Sequence, residues 1–203
     1  MERIEFTIKG QSALMMHNIQ LANPLNKYVK ELKPLTSKRN KTDADLEEIS
    51  RIEWEGGLYM ENGKVVIPAK CLNATFFAAA KKRKNGPKWR TGAIFDKDFY
   101  YLEYPGPKIN VTVNGNIPNP ELDKFYGLYA NQDMVRVGGS GVLRTRPIFT
   151  SWSCDVCILY DEGILDERTL RQTAVDAGYL IGLMERRPNS PNGGTFGRFE
   201  PEF

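Results

Sequence analysis

Apolar and polar residues alternate over residues 3–9, IEFTIKG, where Ile4, Phe6 and Ile8 point one way and Glu5, Thr7 and Lys9 the other. That is the period of a half-buried strand. The pattern weakens over 11–41, where Asn23-Pro24, Lys33-Pro34 and Ser37 stand among lysines, and this stretch reads as a long exposed insertion. Thr42 then caps a predicted helix with Asp43 and Asp45 in its first turn; Leu46, Ile49 and Ile52 form its apolar stripe and Gly56-Gly57 end it. Residues 58–60 and 65–68 flank Asn62-Gly63, a strong hairpin signal. A second helix is predicted over about 69–84, with Leu72, Phe76, Ala79 and Ala80 on one face and Asn85-Gly86-Pro87 as its stop.

Further along, 99–114 reads as two short strands, FYYLEY and INVTVN, about Pro105-Gly106-Pro107, and 115–133 reads mostly as loop. Residues 134–137 and 142–160 are strand-rich, carrying Val135, Val137, Val142, Ile148, Trp152, Val156 and Ile158. Asp166 opens a third helix to about residue 184, with Leu170, Ala174, Ala177, Ile181 and Met184 at the 3.6 period. Gly178 and Gly182, four apart, allow a close backbone approach to a sheet, and a last strand follows over 195–200. With insertions at about 10–68 and 85–133 set aside, the order is strand (3–9), helix (69–84), two strands (134–160), helix (166–184), strand (195–200). This βαββαβ order predicts a single α+β domain over 1–203 with a ferredoxin-like, or RRM-like, core: an antiparallel sheet with two helices on one face. The other face is left open, as in RNA-recognition modules.

The composition is that of a globular chain with one sizeable core: 203 residues, 41% hydrophobic and 26% charged. No apolar run is long enough for a membrane span, and MERIEFTIKGQ lacks the apolar centre of a secretory signal. Three cysteines make no disulfide framework, so a reducing compartment, the cytoplasm, is expected. A single histidine excludes chemistry that needs a His pair.

The net charge of +3 hides a segregation. Residues 81–90 hold Lys81, Lys82, Arg83, Lys84, Lys88 and Arg90 with no acid, and 27–41 hold Lys27, Lys30, Lys33, Lys38, Arg39 and Lys41 against Glu31 alone. The acids Asp43, Asp45, Glu47, Glu48, Glu53 and Glu55 cluster in 43–55. Like-charge blocks are often only solvated faces, but several basic blocks beside glycine also suit a surface that tracks phosphates.

Two segments carry the candidate chemistry. In RRPNSPNGGTFGRFE, Gly193 and Gly194 would bring backbone N–H groups close to phosphate oxygens, with Arg186, Arg187 and Arg198 as partners. The competing reading is a tight connection that needs glycine for positive φ. Of Phe196 and Phe199, at most one can stack a base while the other is core. In VRVGGSGVLRTRP, Arg144 and Arg146 share one face of a strand, about 7 Å apart, which suits successive phosphates of an extended strand. No Walker or dinucleotide motif is completed at Gly139-Ser140-Gly141. Cys154 and Cys157 form a C-x-x-C inside a strand, which places the thiols on opposite faces; with Cys71 they read as buried small hydrophobes, and no metal or cofactor is expected. Asn110-Val111-Thr112 matches a glycosylation acceptor that is discounted without a secretory signal.

The βαββαβ order together with the glycine-rich 186–199 segment resembles the RAMP superfamily, the RNA-binding proteins of CRISPR effector complexes, and within it the backbone subunits that line a guide RNA. The words ALMMHN (13–18), GGLYM (56–60), RTRPIF (144–149) and GGTFGRFE (193–200) also resemble a family of short phage and prophage proteins with no established activity. The second likeness points to a phage or prophage source, hence the cytoplasm of a bacterial host. The basic segments and the RAMP likeness point to a protein that binds single-stranded nucleic acid, RNA ahead of DNA, and the absence of a nucleophile–base constellation to a non-catalytic one. It would use Arg144, Arg146, Arg186, Arg187, Arg198 and the Gly193–Gly194 backbone, with Lys81, Lys82, Arg83, Lys84 and Lys88 as an electrostatic rim. Side-by-side assembly into a homo-oligomer or filament, and contact with CRISPR-like or host defence proteins, are further expectations. His17 follows the first strand, where metal-independent RAMP endoribonucleases place a general base, so such a nuclease is one alternative. A phage anti-defence interaction protein that mimics a CRISPR subunit is the other.

Overall fold

A computed structural model describes residues 1–109 and 119–203. In chain order these form β1 (Glu2–Gly10), β2 (Leu14–Met15), a 3-10 turn (Ile19–Ala22), α1 (Lys27–Thr36), α2 (Asp43–Gly57), β3 (Met60–Glu61) and β4 (Lys64–Pro68). Next come α3 (Ala69–Lys82), α4 (Gly86–Gly92), β5 (Ala93–Phe95), β6 (Phe99–Tyr101), α5 (Asn119–Tyr129), β7 (Ala130–Val137) and β8 (Ser140–Phe149). The chain ends with β9 (Ser153–Tyr160), α6 (Glu167–Asp176), a π turn (Ala177–Ile181) and β10 (Phe199–Glu202). The protein is therefore a mixed α+β fold with six α-helices and antiparallel sheets among the described residues. No described helix is long and apolar enough to cross a membrane. By contact the chain divides into two compact units: Met1–Met15, Met60–Asn110 and Phe149–Phe203 form the first, Met16–Tyr59 and Val111–Ile148 the second.

The first unit is built on a four-stranded sheet in the order β10-β1-β9-β5, each neighbouring pair antiparallel. The central pair runs in register from Glu2 opposite Tyr160 to Lys9 opposite Ser153. Ile4, Phe6 and Ile8 are buried as the alternation requires, and α3 and α6 pack together over that face. Phe76 of α3 is the centre of the core: its ring lies 5.4 Å from Phe95, 6.2 Å from Phe199 and 6.3 Å from Phe6, so one helical residue touches three strands. Burial of such a ring contributes about 1.5–3 kcal/mol. Gly178 lies against the backbone of the last strand, where an added Cβ would meet Phe199 O at 1.9 Å. The small sheet β3-β4-β6 completes the unit, and its hairpin turns at Asn62 and Gly63, both at positive φ.

Several expectations are corrected here. The strand beside β9 in this sheet is β5, not the 134–149 segment, whose strands β7 and β8 form a hairpin of their own. Three residues are too few to show an alternation, so β5 left no periodic signal. Residues 11–16 are not an exposed insertion, since Leu14, Met15 and Met16 are fully buried, and 27–36 form α1. A helix, α5, occupies 119–129 where loop was expected; Phe125 and Tyr129, four apart, are its buried positions. The third predicted helix stops at Ile181, because Gly182 turns to φ +74°. The last strand begins at Phe199, since Gly197 at φ +68° breaks the extended run before it. Residues 110–114 of the INVTVN strand, with the Asn110 acceptor, lie outside the described residues.

In the second unit α1 packs on α2. Thr42 accepts from Asp45 N while the Asp45 carboxylate accepts from Thr42 N, a reciprocal cap that satisfies two helix-end donors. The segregated charges of this region meet each other: Lys38 Nζ lies 2.6 Å from Asp45, and Lys27 Nζ 3.9 Å from Glu55. Trp54 is fully buried, donates to Tyr129 O at 2.9 Å and packs edge-on against Tyr126.

Candidate nucleic-acid interface

The face of the four-stranded sheet away from α3 and α6 carries Arg3, Glu5, Thr7, Lys9, Asp155, Cys157, Glu200 and Glu202. Its cations are already engaged: Arg3 Nε donates to Glu5 at 2.8 Å and Lys9 Nζ lies 3.3 Å from Glu202. Asp155 accepts from Thr7 at 2.6 Å. Acidic groups outnumber basic ones among these residues, none of them is aromatic, and the Tyr100 ring beside them is buried with its hydroxyl donating to Asp96. This face therefore lacks the charge and the exposed rings of a base-stacking platform.

The predicted arginines divide among different tasks. The Arg144 guanidinium sits on the Glu53 carboxylate, a buried acid that also accepts from Thr145 N at 2.8 Å. A buried carboxylate needs such a partner, so Arg144 is committed to the second unit's interior. Arg146 donates to Thr145 O at 3.0 Å and is half-buried. In the first unit Arg187 donates to Met184 O at 2.6 Å, Arg186 adopts a positive φ of 49°, and exposed Arg198 lies 5.6 Å from the centre of the Tyr179 ring. Gly193 is exposed at φ +65°, and Gly194 is pressed against its own chain, where a Cβ would meet Arg186 O at 1.8 Å. The positive φ of a tight connection is found at Gly193 and Gly197, while Gly194 is required by the close approach of Arg186 O. Phe199 is core and Phe196 half-buried.

The 81–90 block gathers differently. Arg83 holds Asp176 of α6, its Nη2 donating to Oδ1 at 3.0 Å, and this hydrogen-bonded pair keeps the Asp176 carboxyl below the usual carboxylate range. Lys81, Lys82, Lys84, Lys88 and Arg90 are exposed, and no carboxylate among the described residues lies within ion-pair distance of them. On α3, Lys70, Asn73, Phe77 and Lys81 follow the 3–4 spacing that puts them on one side. Lys81 Nζ lies 5.7 Å and the Arg90 guanidinium 5.0 Å from the centre of the Phe77 ring.

Beside this ring opens a cleft of about 760 Å³, between α3, α4 and β5. Its walls carry Lys70, Arg90 and Lys97 as cations, Phe77 and Ile94 as apolar surface, and Asn73 and Asp98 as polar groups. Trp89 forms the back and donates to Asn73 Oδ1 at 2.9 Å. Sequence reasoning missed Lys70, Phe77 and Lys97 as site residues. Phe77 stands next to core Phe76 and looked like part of the same apolar run; only the helical phase, Phe77 with Lys70 and Lys81, could have separated them.

Cys154 and Cys157 are buried, and Cys154 sits opposite Ile8 on the helix side while Cys157 sits opposite Glu5 on the open side. Burial pushes both thiols up, with Asp96 adding to the effect at Cys157. Among the described residues no three His, Cys, Asp or Glu side chains are grouped to hold a metal ion. His17 belongs to the second unit, where its carbonyl accepts from the Tyr59 hydroxyl at 3.3 Å. Compared with known proteins, the chain matches no protein-family model and no curated protein sequence.

Proposed function

We propose that this protein binds single-stranded nucleic acid, RNA ahead of DNA, without cleaving it, and that the α3–α4 face is where the strand lies. The observation that carries the reading is the Phe77 ring between Lys81 and Arg90, beside a cleft with two more cations, Lys70 and Lys97. Single-strand binders combine a cationic groove with aromatic rings in this way, because every nucleotide offers both a phosphate and a π face. The strand order β10-β1-β9-β5 with α3 and α6 on one face supports a ferredoxin-like core, and with it the likeness to RAMP backbone subunits. The preference for RNA and a side-by-side arrangement along the strand follow from that likeness. The interface differs from the one expected there: it uses the helical face, where Lys81, Lys82, Lys88 and Arg90 have no carboxylate within ion-pair distance among the described residues, rather than the acidic open sheet or Arg144.

The test is fluorescence anisotropy of a labelled dodecauridine over a salt series, after the 260/280 nm absorbance of the purified protein has been checked for a co-purified strand. Log affinity should fall linearly with log salt, at about 0.7 per neutralised phosphate. The combined change Lys81→Gln/Lys82→Gln/Lys88→Gln should flatten that slope by about 2 and leave the label's RNA intact. Salt-insensitive binding, or an unchanged slope in the triple variant, would refute the reading.

A further inference from the structure

We propose that the cleft between α3, α4 and β5 is a nucleotide subsite, which takes one base against Phe77 and holds the attached phosphate with Arg90, Lys70 and Lys97. The inference deepens the proposed function and rests on it for the strand that supplies the nucleotide.

Size comes first. About 760 Å³ lies within the range of small-molecule sites, about 300–1,000 Å³. The lining comes second. Ile94 is 58% exposed at the cleft, an apolar side chain left in water beside the cations Lys70, Arg90 and Lys97. Phe77 supplies a ring at the same opening. The Arg90 guanidinium lies 5.0 Å from its centre; the side chain is long and exposed, so a base can enter between the two and be sandwiched by ring and guanidinium.

The polar groups complete the match. Trp89 occupies Asn73 Oδ1, so what Asn73 offers a ligand is its NH₂ donors, while the Asp98 carboxylate is an acceptor. A base edge, which alternates carbonyl and N–H groups, can use both. Three cations against one acid leave the cleft positive, the sign a phosphate requires. Arg3, Arg83, Arg144 and Arg171 are spent on Glu5, Asp176, Glu53 and Glu167, whereas Lys70, Arg90 and Lys97 have no carboxylate within ion-pair distance among the described residues.

A nucleoside phosphate can come from the interior of a strand or from free mononucleotide, and the experiment separates them. A dodecanucleotide with one 5-iodouracil is photocrosslinked to the full chain and the adduct mapped by mass spectrometry. In parallel, dodecauridine, uridine 5′-monophosphate and adenosine 5′-monophosphate are titrated into wild type, Phe77→Leu and Ile94→Glu. Expected are a crosslink at Phe77 and a loss of dodecamer affinity of about 5- to 100-fold in each variant, the scale of one lost stacking contact. Ile94→Glu alters an already exposed position, so it keeps the test decisive if Phe77→Leu misfolds. Mononucleotide binding that both variants abolish, without dodecamer binding, would uphold the subsite with free nucleotide as its source while the strand-binding reading falls. Dodecamer binding at wild-type affinity in both variants, with the crosslink elsewhere, would overturn the subsite and leave the broader reading standing. Binding of neither probe overturns both.

Discussion

Arg83 and Lys82 are sequence neighbours with opposite duties, and the difference is measurable. Arg83 serves Asp176, a carboxylate only 7% exposed, so Arg83→Ala strips a charge-assisted hydrogen bond from a largely buried group. Because the arginine itself is half in solvent, a modest loss of stability is expected by chemical denaturation, with little change in oligonucleotide affinity. Lys82→Gln should do the reverse. The same pair sets an acid limit. Because Asp176 is held below its ordinary value in the folded state, the unfolded chain binds its proton first as pH drops. The stabilisation is full above the unfolded carboxylate value, about pH 4, and is lost as pH falls through the lower folded value. An acid titration of the thermal midpoint should show this loss in wild type and a smaller one in Asp176→Asn. Gly178 has no room for a methyl group beside Phe199 O, so Gly178→Ala is expected to cost about 1–3 kcal/mol by the same denaturation assay. Thiol titration of the native protein should find Cys71 reactive and Cys154 silent until unfolding, since only Cys71 is partly exposed.

Elements with a complete local signal were legible in the chain. β1 announced itself by alternation, the 62–63 hairpin by Asn-Gly, and α2 by its cap. Thr42→Ala should lower the midpoint of unfolding by the equivalent of about 1 kcal/mol, and Thr42→Ser should restore it. What stayed hidden lacked a local signal. β5 is three residues long and takes its identity from its pairing with β9, a tertiary fact. α5 carries Leu122, Phe125, Tyr126 and Tyr129 at helical spacing, but Pro120 and Gly127 in so short a segment read as loop. The candidate site was legible in charge but not in geometry. Residues 81–90 stood out as cations without acids, yet nothing in their order told that Arg83 is spent on α6. Nor did the sequence tell that Lys27 and Lys38 face the acids of α2, or that Arg144 serves Glu53. Charge runs show where ions are, and only the fold shows which of them already have partners.

At the scale of the whole molecule the first unit is assembled from segments far apart in sequence. The pairs that make its sheet join Ile8 to Cys154 and Lys9 to Glu200. Contacts of this separation carry a large loop-closure cost and slow folding. A ribosome adds about 5–20 residues each second, so β1 waits on the order of 8–30 s before β9 has even been synthesised. Throughout that wait Ile4, Phe6 and Ile8 form an apolar ridge with no sheet to join, on a strand whose hydrogen-bonding edges are open. Until β9 is made this ridge is open to aggregation, and chaperone occupancy is expected to be high on β1. Moving β1 by circular permutation to follow β10, with a short glycine linker, would turn its pairing with β10 into a local hairpin, and the refolding rate should rise.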